Sequence, residues 1–130
     1  MRIYLPAEWV ERAEFFRREA RRLLEEGVYW ASCFAAQQAV ELYLKAFQVA
    51  LTGVHVFTHD LSRLLYTLEE AGVAVPGELY PLADALTPHY TLARYPGSKT
   101  LTYDSRIASR CVDYMERILG WLKDAAGDPP

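Results

Sequence analysis

Asparagine is missing altogether, and lysine stands only at positions 45, 99 and 123. So few thermolabile amides is a thermophile-like trait, although a GC-rich genome also favours arginine over lysine. The two cysteines, Cys33 and Cys111, lie far apart and offer no metal-ligand spacing. Both fall on apolar helix faces, where a thiol behaves as a small hydrophobe, so reduced cysteines and a cytoplasmic location are expected. No run reaches the roughly 18 apolar residues of a membrane span. Residues 1–16 carry acids early and contain no apolar stretch of the signal-peptide kind. Positive charge is not in excess: the net charge is −3 and the pI near 5.6, so no global field draws the chain to DNA or acidic lipid. A local basic site remains open. Gly-rich phosphate loops, a serine-hydrolase elbow and kinase-type motifs are all missing, as is any convincing alternating strand pattern.

What is present is helical periodicity over nearly the whole chain. With 130 residues, 52% of them hydrophobic and 13% aromatic, the chain suffices for one well-cored domain and is not disordered. The expectation is an all-α fold, a single five-helix antiparallel bundle over 1–130 with its core at about 7–125 and a frayed tail at 126–130. The first helix reads from Ala7 to Glu26, with Val10, Ala13, Phe16, Ala20, Leu23 and Leu24 inward and Gly27 as its break. The second spans 28–52, closed by Gly53. The third covers 58–71, with Thr58 as cap and Asp60 in its first turn. A fourth runs over 77–94, which Pro88 should kink or end early, followed by the turn Tyr95-Pro96-Gly97-Ser98. The fifth, 104–125, buries Ile107, Cys111, Tyr114, Met115, Ile118, Trp121 and Leu122.

Polar residues interrupt the second helix only at Gln37, Gln38, Glu41, Lys45 and Gln48 between positions 33 and 51. At 100° per residue all five share an arc of about 100°. This stripe is the one non-core face of a helix that is otherwise apolar, so it meets either water or a ligand. Glu41 and Lys45 stand at i and i+4, which reads either as an ordinary surface ion pair or as a lysine set for phosphate. His59 and Asp60 open the third helix, where an anion site competes with simple capping. Arg94 follows Tyr90 by one turn and precedes Tyr95, an arrangement suited to phosphate or base stacking; the alternative is a guanidinium that caps its own helix. The pairs Arg17-Arg18 and Arg21-Arg22 are balanced by glutamates and read as a solvated face. His89 is isolated, and no metal site or cofactor is expected.

The run Ala36-Gln37-Gln38-Ala39-Val40-Glu41-Leu42-Tyr43-Leu44-Lys45-Ala46 resembles the QQA-E---KA signature of HEPN (higher eukaryotes and prokaryotes nucleotide-binding) domains. Thr58-His59-Asp60-Leu61 is similar to their HDL segment, and Ala93-Arg94-Tyr95-Pro96 to their RYP segment, in the same order. The resemblance implies a helical bundle that forms a homodimer and binds a nucleotide or RNA. It also implies a minimal nucleotidyltransferase as companion, in a toxin–antitoxin-like pair. Many members are metal-independent ribonucleases with an Arg-x(4–6)-His motif. Here Lys99, Thr100 and Leu101 follow Arg94 where the histidine would stand, so a binding protein without catalytic residues is expected. The alternatives are a ribonuclease with an altered site, using His59 or His89, and a purely structural dimerisation module. The binding residues expected on these grounds are Gln38, Glu41, Lys45, His59, Asp60, Tyr90, Arg94 and Tyr95.

Overall fold

The computed structural model describes residues 2–97 and 101–127. Every regular element among them is helical: α1 (Ala7–Glu26), α2 (Tyr29–Thr52), α3 (Leu61–Glu70), α4 (Leu79–Leu86), α5 (His89–Leu92) and α6 (Ser105–Ala126). The expected all-α bundle is therefore the fold, with the fourth helix divided in two. Pro88 explains the division. It has no N–H to give to the preceding turn, and its ring is compatible only with the start of a new helix. Thr87 fills the gap, donating its hydroxyl to the Ala83 carbonyl (2.9 Å) and accepting the Leu61 N–H (3.0 Å).

Helix α1 turns directly into α2 through Gly27, whose φ of +78° is one that L side chains rarely adopt. The Val28 N–H returns to the Leu23 carbonyl (2.9 Å), which closes the end of α1 and reverses the chain. Ser32 then donates to the Ala20 carbonyl (2.7 Å), and both residues are fully buried. The small side chains Ala13, Ala20, Ala36 and Ala39 are also inaccessible. On α2 the aromatic Tyr43 and Phe47 join Leu44 in the centre of the core. Leu61, Leu64, Leu65 and Leu68 of α3 close it from one side, and Met115, Ile118, Leu119 and Leu122 of α6 from another. Each such side chain, if fully buried, contributes about 1.5–3 kcal/mol relative to exposure.

Contacts along the chain fix the directions of the helices. Ser32 meets Ala20 while Tyr43 meets Glu14, so α1 and α2 are antiparallel. Phe47 stacks on Trp121 and Cys33 lies beside Cys111, so α6 runs alongside α2 in the same sense. The paired arginines of α1 are not simply solvated. Arg17 forks onto both oxygens of Glu116 on α6 (2.7 and 2.8 Å), Arg21 joins at 2.9 Å, and Lys123 reaches Glu14 at 3.0 Å. Arg22 does pair within its own helix, with Glu19 and Glu26.

Two ends differ from expectation. The cap of α3 is Asp60, whose carboxylate accepts the N–H groups of Ser62 (3.1 Å) and Arg63 (3.3 Å), while Thr58 accepts the N–H of Asp60 itself. Positions 126 and 127, expected to be frayed, are held in place. Ile3 donates to the Ala126 carbonyl (2.8 Å) and Arg2 to that of Gly127 (2.9 Å), and residues 128–130 lie outside the described part. No helix of the described residues is long and apolar enough to cross a membrane.

Candidate functional site

The polar stripe of α2 is not solvated. Gln37 is 0% exposed, and Glu41, Lys45 and Gln48 are each 5–6% exposed. The reading of Glu41–Lys45 as a surface pair is thus corrected: it is a buried one, with Lys45 Nζ 3.0 Å from Glu41 Oε2. Helical periodicity reports which residues differ from the core, but not what covers them. The cover is the segment 53–60 together with α3. Gln48 donates to Thr67 Oγ1 and accepts the Val56 N–H, both at 2.8 Å. Gln37 donates to the His59 carbonyl and to Glu41 Oε1, both at 3.1 Å. Gln38, half-buried, donates to Gln37 Oε1 (2.8 Å). The stripe clamps the chain that leads into α3.

What emerges from the clamp is His59. Its Nδ1 lies 2.8 Å from Glu41 Oε1, and its side chain is 48% exposed. A carboxylate only accepts, so the proton sits on Nδ1 and Nε2 is the edge turned away from Glu41. The imidazole lies flat on Tyr90, with ring centroids 3.6 Å apart and 15° between planes. Arg94 covers the same aromatic cluster, its guanidinium carbon 4.9 Å from the Tyr90 centroid, 5.6 Å from Tyr95 and 5.9 Å from Phe34. Cation–π contacts of this kind hold a guanidinium by its face and leave its N–H fork outward. Among the described residues no carboxylate pairs with Arg94, which is exposed.

Of the eight expected site residues, Gln38, Glu41, Lys45, His59, Tyr90 and Arg94 thus form one connected array, from the buried ion pair outward to the guanidinium. Tyr95 stands beside it, 60% exposed. Asp60 does not join: its carboxylate is spent on capping α3. Next to Arg94 opens a groove of about 460 Å³, lined among others by Trp30, Tyr95, Pro96 and Tyr103. Trp30 and Phe34 were missed in the sequence, because on a helix this apolar they are indistinguishable from core residues. Trp30 is in fact 51% exposed.

The expectation that His89 is isolated is also overturned. It is 8% exposed, its Nδ1 lies 2.6 Å from the Tyr103 hydroxyl, and its ring faces Cys33 and Cys111. The adjoining Cys33 thiol, aided by His89 and opposed by burial, holds the Cys111 thiol below its ordinary value, while Cys111 and burial push Cys33 up.

The comparisons with known proteins agree with this fold. The model of the HEPN domain matches residues 6–125. Among solved structures, the protein TT1696 from Thermus thermophilus is similar at 32% identity and a TM-score of 0.83, over 92% of this chain and 96% of that one. An archaeal HEPN homologue, ST0689, is 29% identical with a TM-score of 0.72, over 91% and 94% of the two chains. A HEPN domain protein of Thermotoga maritima, tm0613, is 27% identical with a TM-score of 0.74, over 94% and 99%. No curated protein matches the chain. The fold is that of an all-helical bundle. The chain belongs to the HEPN domain family.

Proposed function

We propose that this protein binds a nucleotide or single-stranded RNA without cleaving it, through the face formed by His59, Tyr90, Arg94 and Tyr95. One observation carries this reading: an exposed guanidinium with no acidic partner among the described residues, held over Tyr90 at 4.9 Å and beside a groove of about 460 Å³. Its outward fork suits a phosphate bidentately. Trp30 and Tyr95 offer ring faces to a base, and base–aromatic stacking is worth about 1–3 kcal/mol per base. Glu41 and Lys45 act from beneath, as positioning residues that hold His59. Lys45 is too deeply buried to meet phosphate itself.

The test is thermal melting of the full chain with millimolar ATP, GTP or a short single-stranded RNA. A ligand at 100 times its Kd adds about 2.7 kcal/mol, which for a domain of this size raises Tm by roughly 10 °C. Arg94→Ala should abolish the rise and leave the unliganded Tm in place. No rise with any of the three ligands removes the reading.

A second reading has its own support. Glu41 orients His59 through Nδ1 and leaves Nε2 turned away from it, while His59 and Arg94 both pack on Tyr90, so a candidate general base and a phosphate-binding cation share one aromatic ring. An altered-site ribonuclease would use that dyad. Cleavage of labelled RNA in EDTA that His59→Ala abolishes would replace binding by catalysis. His89, which faces the two cysteines, is not placed for that role.

The protein is further proposed to act as a homodimer and as companion of a minimal nucleotidyltransferase, in a toxin–antitoxin-like pair. Family membership supports both, and the exposed Val54 (68%) and Phe57 (93%) supply apolar surface to an interface. A monomer in sedimentation at micromolar concentration removes the dimer. The neighbouring reading frame and coelution decide the companion.

A further inference from the structure

We propose that Cys33, His89 and Cys111 form a binding site for a thiophilic divalent cation, zinc foremost. The three arrive from α2, α5 and α6, and their ligand atoms lie within 4.8 Å of one another. All are buried: Cys33 is 0%, Cys111 3% and His89 8% exposed. None of the three lies on the His59–Arg94 face, and the site does not depend on what that face binds.

The donor set is that of a zinc centre with two thiolates and one imidazole, to which hard cations such as magnesium are poorly matched. In tetrahedral zinc sites, Zn–S near 2.3 Å and Zn–N near 2.0 Å put neighbouring ligand atoms about 3.5–3.8 Å apart. The edges here, up to 4.8 Å, must contract by about 1.3 Å at most, within reach of side-chain rotation. The electrostatics also suit the place. One divalent cation displaces two thiol protons to solvent, leaving a centre with no net charge, which avoids the cost of burying an unpaired ion. The Tyr103 hydroxyl engages His89 Nδ1 at 2.6 Å. Such outer contacts fix a ligating imidazole, and this one leaves Nε2 as the donor.

A route to the centre is present. A cavity of about 160 Å³ reaches His89 and Cys111, lined also by Ile107, Arg110 and Tyr114. It has room for a water as fourth ligand, since a water occupies about 30 Å³. Because the ligands come from three helices, the metal would pin α5 and α6 to α2. Tyr103, which orients His89, also lines the groove beside Arg94, so the centre underlies one wall of the proposed binding face.

Cobalt(II) titration of the fully reduced chain tests this. The expected result is uptake of one equivalent, with thiolate-to-cobalt charge-transfer absorption and intense tetrahedral d–d bands that zinc displaces. Tyr103→Phe should weaken uptake about 10- to 100-fold without removing the sulfur bands. Cys111→Ala and Cys33→Ala should remove those bands. If an alanine variant fails to fold, zinc-edge X-ray absorption of the loaded wild type decides instead, with sulfur expected at about 2.3 Å. Cobalt binding without charge transfer, a shell of oxygen alone, or sulfur bands that survive Cys111→Ala in a folded variant would each overturn the site.

Discussion

Replacing Glu41 by Gln is the substitution that most sharply probes the seam beneath His59. Three donors converge on the two oxygens of Glu41: Lys45 Nζ at 3.0 Å, His59 Nδ1 at 2.8 Å and Gln37 Nε2 at 3.1 Å. A glutamine keeps the shape but turns an NH2 towards at least one of them. It also strips the counter-charge from Lys45, whose side chain is only 8% exposed. Leaving one partner of a buried pair uncompensated costs about 3–5 kcal/mol, far above the 0–1 kcal/mol of an exposed pair. For a domain of this size that is a fall in Tm of roughly 10–20 °C, measurable by calorimetry or circular dichroism. The companion Glu41→Leu/Lys45→Met removes both charges and should recover most of the loss, because an apolar pair of similar volume carries no desolvation cost. A loss below about 1 kcal/mol for Glu41→Gln would mean that the pair is solvated, and the account of the stripe as an internal clamp would fail.

Other outcomes follow from the ties between helices. Hydrogen bonds from Arg17 hold Glu116 below the usual carboxylate range against burial. Burial alone would raise Glu14, but the bonds from Tyr43 and Lys123 outweigh it and bring it down as well. A depressed folded value stabilises above the unfolded one, about 4.3, and the gain is lost as pH falls through the folded value. Tm should therefore drop below about pH 4.5, and less steeply in Glu116→Gln; an equal slope in the variant would refute the tie. Asp60→Ala should cost about 1 kcal/mol through the lost cap of α3 while leaving ligand binding intact. A selective loss of binding at unchanged stability would instead return Asp60 to the site.

Much of this molecule is legible in its sequence, and the exceptions share a cause. Helix positions follow from period-3.6 patterning, and the split at Pro88 from the chemistry of proline. Tyr90 and Arg94 are four residues apart across the end of α5, where a turn with the Arg94 N–H on the Thr91 carbonyl (3.2 Å) continues the winding, so their proximity is local. His59 joins them only because segment 53–60 folds back over α2, a long-range contact that spacing does not encode. The stripe shows the same limit. Its residues stand out as polar in the sequence, but whether water, a ligand or the chain itself covers them depends on that fold-back. Cys33, His89 and Cys111 are far apart in sequence and converge through the packing of three helices, which spacing rules built on local loops do not register.

Mapping by NMR reports most directly on whether the Arg94 face is where ligand binds. Amide and side-chain shifts would be followed while a short single-stranded RNA, and separately ATP, is titrated in EDTA. Saturable changes centred on His59, Tyr90, Arg94, Tyr95 and Trp30, and lost in Arg94→Ala, are the expected result. Shifts confined to another surface, or none at millimolar ligand, would contradict it.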